Sequence, residues 1–260
     1  MNTTLRHLTL PTFAALALLS APPAQAIGGL ADVQVIDRDS GEALPVYRHR
    51  GEHWVAGRPG ARYAVSVRNA QPGRLMGVVS VDGINVVSGQ TAAWHQTGYV
   101  LGPWQRYDIT GWRKTDHEVA AFHFTALPAS YAARTGRPAH VGVIGVALFR
   151  ERVEAPAVAP LSEPGDGSWR DRLESGAAER SAPQAAAAPK LGTGHGEREH
   201  DRIGHTTFER RGDRPDELIR IRYDSRENLV AMGVLPPDVV PHRPQPFPGS
   251  RSPRYVPDPD

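Results

Sequence analysis

The sequence predicts a mainly β fold: an antiparallel β-sandwich followed by a small C-terminal β-β-α element. Three observations carry that expectation. Apolar residues recur with period two through residues 27–153, as in Val33 and Val35 or Tyr63, Val65 and Val67. Turn residues interrupt them at short intervals, at Ser40-Gly41, Arg58-Pro59-Gly60, Gln71-Pro72-Gly73, Gly102-Pro103 and Gly136-Arg137-Pro138. Of the 24 prolines, 6 fall in residues 27–153 and 15 in residues 154–260, so the packed domain is the first part.

Taken in order, residues 1–26 read as a signal peptide. Arg6 and His7 precede an apolar stretch from Phe13 to Leu19, and Ala24-Gln25-Ala26 supplies a cleavage site. The mature chain is expected to start at Ile27, outside the cytoplasm, with the periplasm and the cell surface both compatible. No later segment reaches the roughly 20 apolar residues of a membrane span. Across residues 27–153, LMGVVSV (75–81) and VGVIGVALF (141–149) are apolar on both faces and read as central strands. Asp82-Gly83 between apolar runs is the composition of a type I′ hairpin turn, so residues 75–88 form one hairpin. A short helical turn is expected near Ser130–Arg134, ended by Gly136.

Residues 154–189 are rich in Ala, Pro, Ser and Gly and read as a disordered linker. In 190–236, Thr206–Arg210 and Glu217–Tyr223 are the expected strands, and Ser225 caps a helix from Arg226 that Gly233 ends. This piece is too small to fold alone and is expected to dock on the sandwich or on another chain. Residues 237–260 read as a disordered tail.

Composition excludes whole classes of chemistry. With no cysteine there is no disulfide scaffold, thiolate zinc site, iron–sulfur cluster or cysteine nucleophile. A formal charge of +2 gives no field for nucleic acid. The catalytic signatures of α/β-hydrolases, P-loops and zincins are missing, as is the EF-hand loop. His195, His200 and His205 are spaced by five among acidic residues, which matches no standard ligand pattern and reads as a solvated loop. No metal or cofactor is expected. For a glycan hydrolase acting through loop carboxylates, Asp82, Asp108, Asp116 and Glu118 are the candidates, although Asp82 already has a turn role.

Binding residues are the better prospect. The polar loop 88–99 carries Trp94 and Tyr99, and Trp112 stands beside Arg113 and Lys114. Aromatic rings on polar loops stack on sugars or anchor partner chains, and rings beside cations suit anionic glycans. Trp112 and Trp94 also have the ordinary alternative of filling the ends of the sandwich. The C-terminal arginines, Arg210 to Arg226, form either a basic face or a solvated one cancelled by interleaved acids.

Val81-Asp82-Gly83-Ile84-Asn85-Val86, Gly98-Tyr99-Val100-Leu101, Thr110-Gly111-Trp112-Arg113, Ala120-Ala121-Phe122-His123-Phe124, Ser130-Tyr131-Ala132-Ala133-Arg134-Thr135-Gly136 and Gly142-Val143-Ile144-Gly145-Val146-Ala147 together resemble a group of bacterial exported proteins with no assigned activity. The likeness covers most of residues 60–150, and the run from Leu191 to Gly196 with the β-β-α piece is similar to their C-terminal part. It implies the domain boundaries and supplies no catalytic residue. The sequence therefore points to an exported, noncatalytic module that binds an envelope glycan or protein, with a carbohydrate hydrolase and a subunit assembling by strand addition as alternatives.

Overall fold

The computed structural model describes residues 27–153 and 189–237. The expected signal peptide (1–26) lies outside them. So, apart from one boundary residue each, do the expected linker (154–189) and tail (237–260). No helix among the described residues is long and apolar enough to cross a membrane.

The fold is mainly β, with strands in three sheets. The first is β1 (Ala31–Asp37), β4 (Tyr63–Asn69) and β8 (Arg106–Ile109), in the order β1-β4-β8. The second runs β12-β10-β9, built from β9 (Gly111–Thr115), β10 (Glu118–Ala126) and β12 (Leu191–His200). In the third, β2 (Val46–His49), β3 (Glu52–Gly57), β13 (Glu217–Ser225), β11 (Val143–Arg150), β5 (Leu75–Val81) and β6 (Ile84–Asn85) follow one another. The short β7 (Tyr99–Leu101) also pairs with β5.

Local chemistry explains the early strands. Val33 and Val35 of β1 are buried while Asp32 and Gln34 are partly exposed, the alternation expected of a one-sided strand. The two fully apolar runs are interior, β5 between β11 and β6/β7, and β11 between β13 and β5. Asp82 and Gly83 both take positive φ, 53° and 73°, as a type I′ turn requires, and Val81 pairs with Ile84 across it. Ser130 caps the short helix α1 (Tyr131–Arg134), and Ser225 caps α2 (Arg226–Ala231) by accepting from the Asn228 amide at 3.2 Å.

The sheets meet around Tyr63. Its ring, from the first sheet, stacks on Phe124 at 4.3 Å and Phe122 at 5.3 Å in the second, and lies 6.5 Å from Tyr223 in the third. All four rings are buried, each worth about 2–3 kcal/mol of transfer free energy, so a chain without crosslinks is held by a continuous aromatic core.

The C-terminal piece corrects two expectations. Its first strand is β12, not Thr206–Arg210. Glycines 192, 194 and 196 hide a strand pattern because their face lies flat against neighbouring groups: a Cβ at Gly194 would stand 2.2 Å from the His123 ring. Residues 206–210 instead run irregularly over the outer face of the third sheet, where Phe208 packs on Met76, Val78, Ala147 and Phe149. β13 lies between β3 and β11 of the same chain, pairing with β11 over residues 217–222 and with β3 over residues 221–225. Its pairing with β3 is parallel, which breaks the all-antiparallel expectation. A long connection removes the geometric demand that makes neighbouring hairpin strands antiparallel.

Candidate functional site

A cavity of about 340 Å³ lies between β7, β8 and β9 on one side and residues 202–206 on the other. Val87, Val100, Leu101 and Ile203 provide apolar walls, and Tyr99, Tyr107 and Arg113 provide polar groups. Each wall is placed by pairing. β7 is held on β5 by the Gly77–Tyr99 and Met76–Val100 partners. Tyr107 projects from β8 opposite Val67 of β4. The far wall is fastened by two backbone bonds, Asp201 N to His117 O and Ile203 N to Asp116 O, both 2.9 Å. Arg74 adds bonds to Thr206 Oγ1 at 3.2 Å and Thr207 O at 2.9 Å.

The polar groups form one network. Arg113 donates through Nη1 to the Asp201 carbonyl at 2.6 Å, and through Nη2 to the Tyr107 and Tyr99 hydroxyls at 3.2 and 3.3 Å. Nη2 also stands 3.3 Å from Asp201 Oδ1. The Tyr107 hydroxyl donates to Asp201 Oδ1 at 2.6 Å. Burial pushes both tyrosine hydroxyls above their ordinary values, and the Asp201 carboxylate pushes Tyr107 further. Burial opposes the charge on Arg113, yet Tyr99 and Asp201 outweigh it and hold the guanidinium above its usual value. The cavity therefore presents neutral phenols beside an internally neutralised ion pair. The Tyr107 proton is committed to Asp201, whereas Tyr99 accepts from Arg113 and its own proton has no acceptor among the described residues.

A second network of similar composition is sealed inside the core. The Tyr223 hydroxyl donates to Asp82 Oδ1 at 2.5 Å, and the Thr193 and Gly142 amides donate to the same carboxylate at 2.8 and 2.9 Å. With the Tyr223 proton spent there, the Thr193 hydroxyl donates to Tyr223 at 2.7 Å and accepts from Tyr63 at 2.6 Å. Asp82 thus has its turn role and a burial that the sequence did not reveal. Burial raises its carboxyl above the ordinary value against the bonds it accepts.

The four residues expected to bind ligand are scattered by this arrangement. Tyr99 and Arg113 come together at the cavity. Trp112 is 3% exposed, edge-on to Phe122 and against Tyr131, with its indole N–H donating to Gly194 O at 3.2 Å. It fills the core and has no free face for a ligand. Trp94 is 49% exposed on its loop and does not line the cavity. Among the hydrolase candidates, Asp82 is buried, Asp108 pairs with Arg106, Glu118 with Arg198, and Asp116 with His205 at 3.1 Å.

The histidines disperse as well. His195 lies against Tyr131, His200 stacks over His117, and His205 meets Asp116. No group of three or more acidic or histidine side chains among the described residues is arranged to hold a metal. The arginine face is divided too. Arg210 turns inward, its guanidinium 4.3 Å over the Phe149 ring, and donates to the carbonyls of Trp94 and Gln96 at 2.7 Å each. Arg222 pairs with Glu52.

Sequence reasoning missed Tyr107 and Asp201 as site residues. Asp201 is 88 positions from Arg113 in the chain, and no local pattern joins them. Comparisons with protein-family models, curated proteins and solved structures return no match, so the functional reading rests on geometry.

Proposed function

We propose that the chain is an exported, noncatalytic binding module of the cell envelope, its three sheets layered as a β-sandwich about Tyr63, and that its ligand enters the cavity beside Tyr99. The observation that carries this reading is the uncommitted Tyr99 proton next to the Arg113–Asp201 pair. It is a fixed donor beside the apolar walls of Val87, Val100, Leu101 and Ile203, and apolar walls with placed polar groups are the usual make-up of a small-ligand site. Binding is favoured over acid–base chemistry because these phenols and this guanidinium keep their protons near neutral pH. The expected cleavage site falls immediately before Ile27, which is buried and bonds to Val33 through both backbone groups.

The test is titration calorimetry with soluble envelope polysaccharide fractions and neutral lipids against the wild type and Tyr99→Phe. Loss of one hydrogen bond predicts affinity lower by several-fold, up to about tenfold. Binding that ignores the substitution would place the ligand elsewhere. A hydrolytic reading draws on one feature, the Asp116–His205 pair at the cavity. Release of reducing ends by the wild type and not by His205→Ala would favour it. Both partners are well exposed, so solvent screens their coupling.

A further inference from the structure

Among the described residues, Trp104 is the bulkiest of three non-glycine residues with positive φ. It takes φ of +59° and is 59% exposed. A bulky residue in the left-handed region is strained relative to ordinary backbone, and here the ring recovers little of that strain by burial. The conformation is imposed by its turn. Pro103 precedes it, the Gln105 amide donates to Gly102 O at 3.2 Å, and the Gln105 side chain accepts from the Gly102 amide at 2.8 Å. Fully buried Asn69 fastens the turn from below, through Nδ2 to Gly102 O and through its amide to Gln105 O, both 2.8 Å. The position expects glycine and holds tryptophan, the sort of strain that marks a functional position.

Its placement gives the strain a purpose. Leu101 and Gln105, on either side of the turn, both line the cavity. Trp94 stands on the loop before the same strand β7, and Thr97 and Gly98 between them line the cavity too. Among the described residues, Trp94 and Trp104 are the exposed tryptophans, and they flank the cavity strand at its two ends. Both loops are pinned, one by Arg210 and the other by Asn69, so neither ring's support has to be ordered on binding. The formal charges at the cavity sum to zero, Arg113 and Arg202 being balanced by the lining Asp116 and the adjacent Asp201.

We infer that the site takes a neutral oligosaccharide, with one sugar in the cavity against the Tyr99 hydroxyl and its neighbours stacked on the indoles of Trp94 and Trp104. This rests on the cavity being the binding site. Indole faces supply flat apolar area for the C–H face of a sugar at small entropic cost, and a charge-balanced enclosure gives no advantage to an anionic chain.

Chitohexaose, cellohexaose and maltohexaose serve as probes, followed by calorimetry and by tryptophan emission. At least one is expected to bind, about tenfold more weakly to Trp104→Ala and to Trp94→Ala. Trp104→Gly separates function from folding: it loses affinity equally, while its thermal midpoint stays level or rises by about 2 °C, because glycine accepts the positive φ. Failure of all three hexaoses to bind overturns the inference, as does binding indifferent to Trp104→Ala. A hexaose sensitive to Tyr99→Phe and insensitive to Trp104→Ala overturns the inference alone and leaves the cavity reading standing. Sensitivity to Trp104→Ala without sensitivity to Tyr99→Phe overturns both.

Discussion

The two tyrosine–carboxylate networks are built from nearly the same parts and have opposite uses. In the core, Tyr63, Thr193 and Tyr223 pass their hydroxyl protons in one direction to Asp82, and every donor is spent. At the cavity, Arg113 feeds Tyr107 and Tyr99, Tyr107 passes its proton to Asp201, and Tyr99 retains its own. Each network joins the C-terminal segment to residues 27–153, through Thr193 and Tyr223 in one and Asp201 in the other. A closed chain of donors can only hold the fold together. One left open, as at the Tyr99 hydroxyl and the buried Arg113 Nε, can also recognise something.

The largest expected difference is in stability. Asp82→Ala leaves the Tyr223 hydroxyl and two buried amides without an acceptor, at about 4 kcal/mol in total. Thermal melting should then fall by roughly 10 °C. A loss below about 1 kcal/mol would mean that water satisfies these donors and that the core is not sealed.

The pH dependence follows from the raised Asp82 carboxyl. The native chain binds that proton more tightly than the unfolded chain does. This group's stabilisation is therefore full below the unfolded value of about 3.9 and is lost as pH rises through the raised native value. Unfolding free energies measured from pH 4 to 7 should show a downward component in the wild type that Asp82→Asn removes. Other carboxylates titrate in both proteins, so the difference between the two curves isolates this one.

Asp201→Asn should cost less, about 2 kcal/mol, because Arg113 loses its counter-charge but keeps the Asp201 carbonyl and two hydroxyls. Hydrogen exchange should speed up in residues 202–206, whose anchor adjoins the substitution, and leave the Tyr63 core protected. Equal deprotection of both regions would show that the networks are not separable. The smallest effect on folding belongs to Tyr99→Phe, below about 0.5 kcal/mol by thermal melting, since only a 3.3 Å bond is lost. Its consequence should appear in ligand affinity alone.

Legibility in the sequence followed the same division. The Asp82-Gly83 hairpin, the apolar central strands β5 and β11, and the Ser225-capped α2 were all readable, because each depends on residues within one turn or one strand. β12 was not. Its glycines look like loop residues until His123 is seen packed against them. Of the candidate site, Tyr99 and Arg113 were named in advance for an aromatic on a polar loop and a cation beside a ring. Trp112, chosen by the same reasoning, went to the core. Trp112 and Arg113 are adjacent in the chain, one in the core and one at the cavity, and local pattern had no means of separating them.

The amino-acid sequence by itself settled the mainly β character of the chain, the positions of its tightest turn and its helix caps, and the absence of cysteine chemistry. These depend on side-chain period, backbone φ preference and composition, which act over a few residues. Tertiary structure alone decided that β13 enters the middle of a sheet, that Asp201 reaches Arg113, that Asp82 is buried, and that Trp104 is held strained in water. Such outcomes are set by register and burial between segments many tens of residues apart, where free energy depends on which surfaces meet and no local preference distinguishes the alternatives.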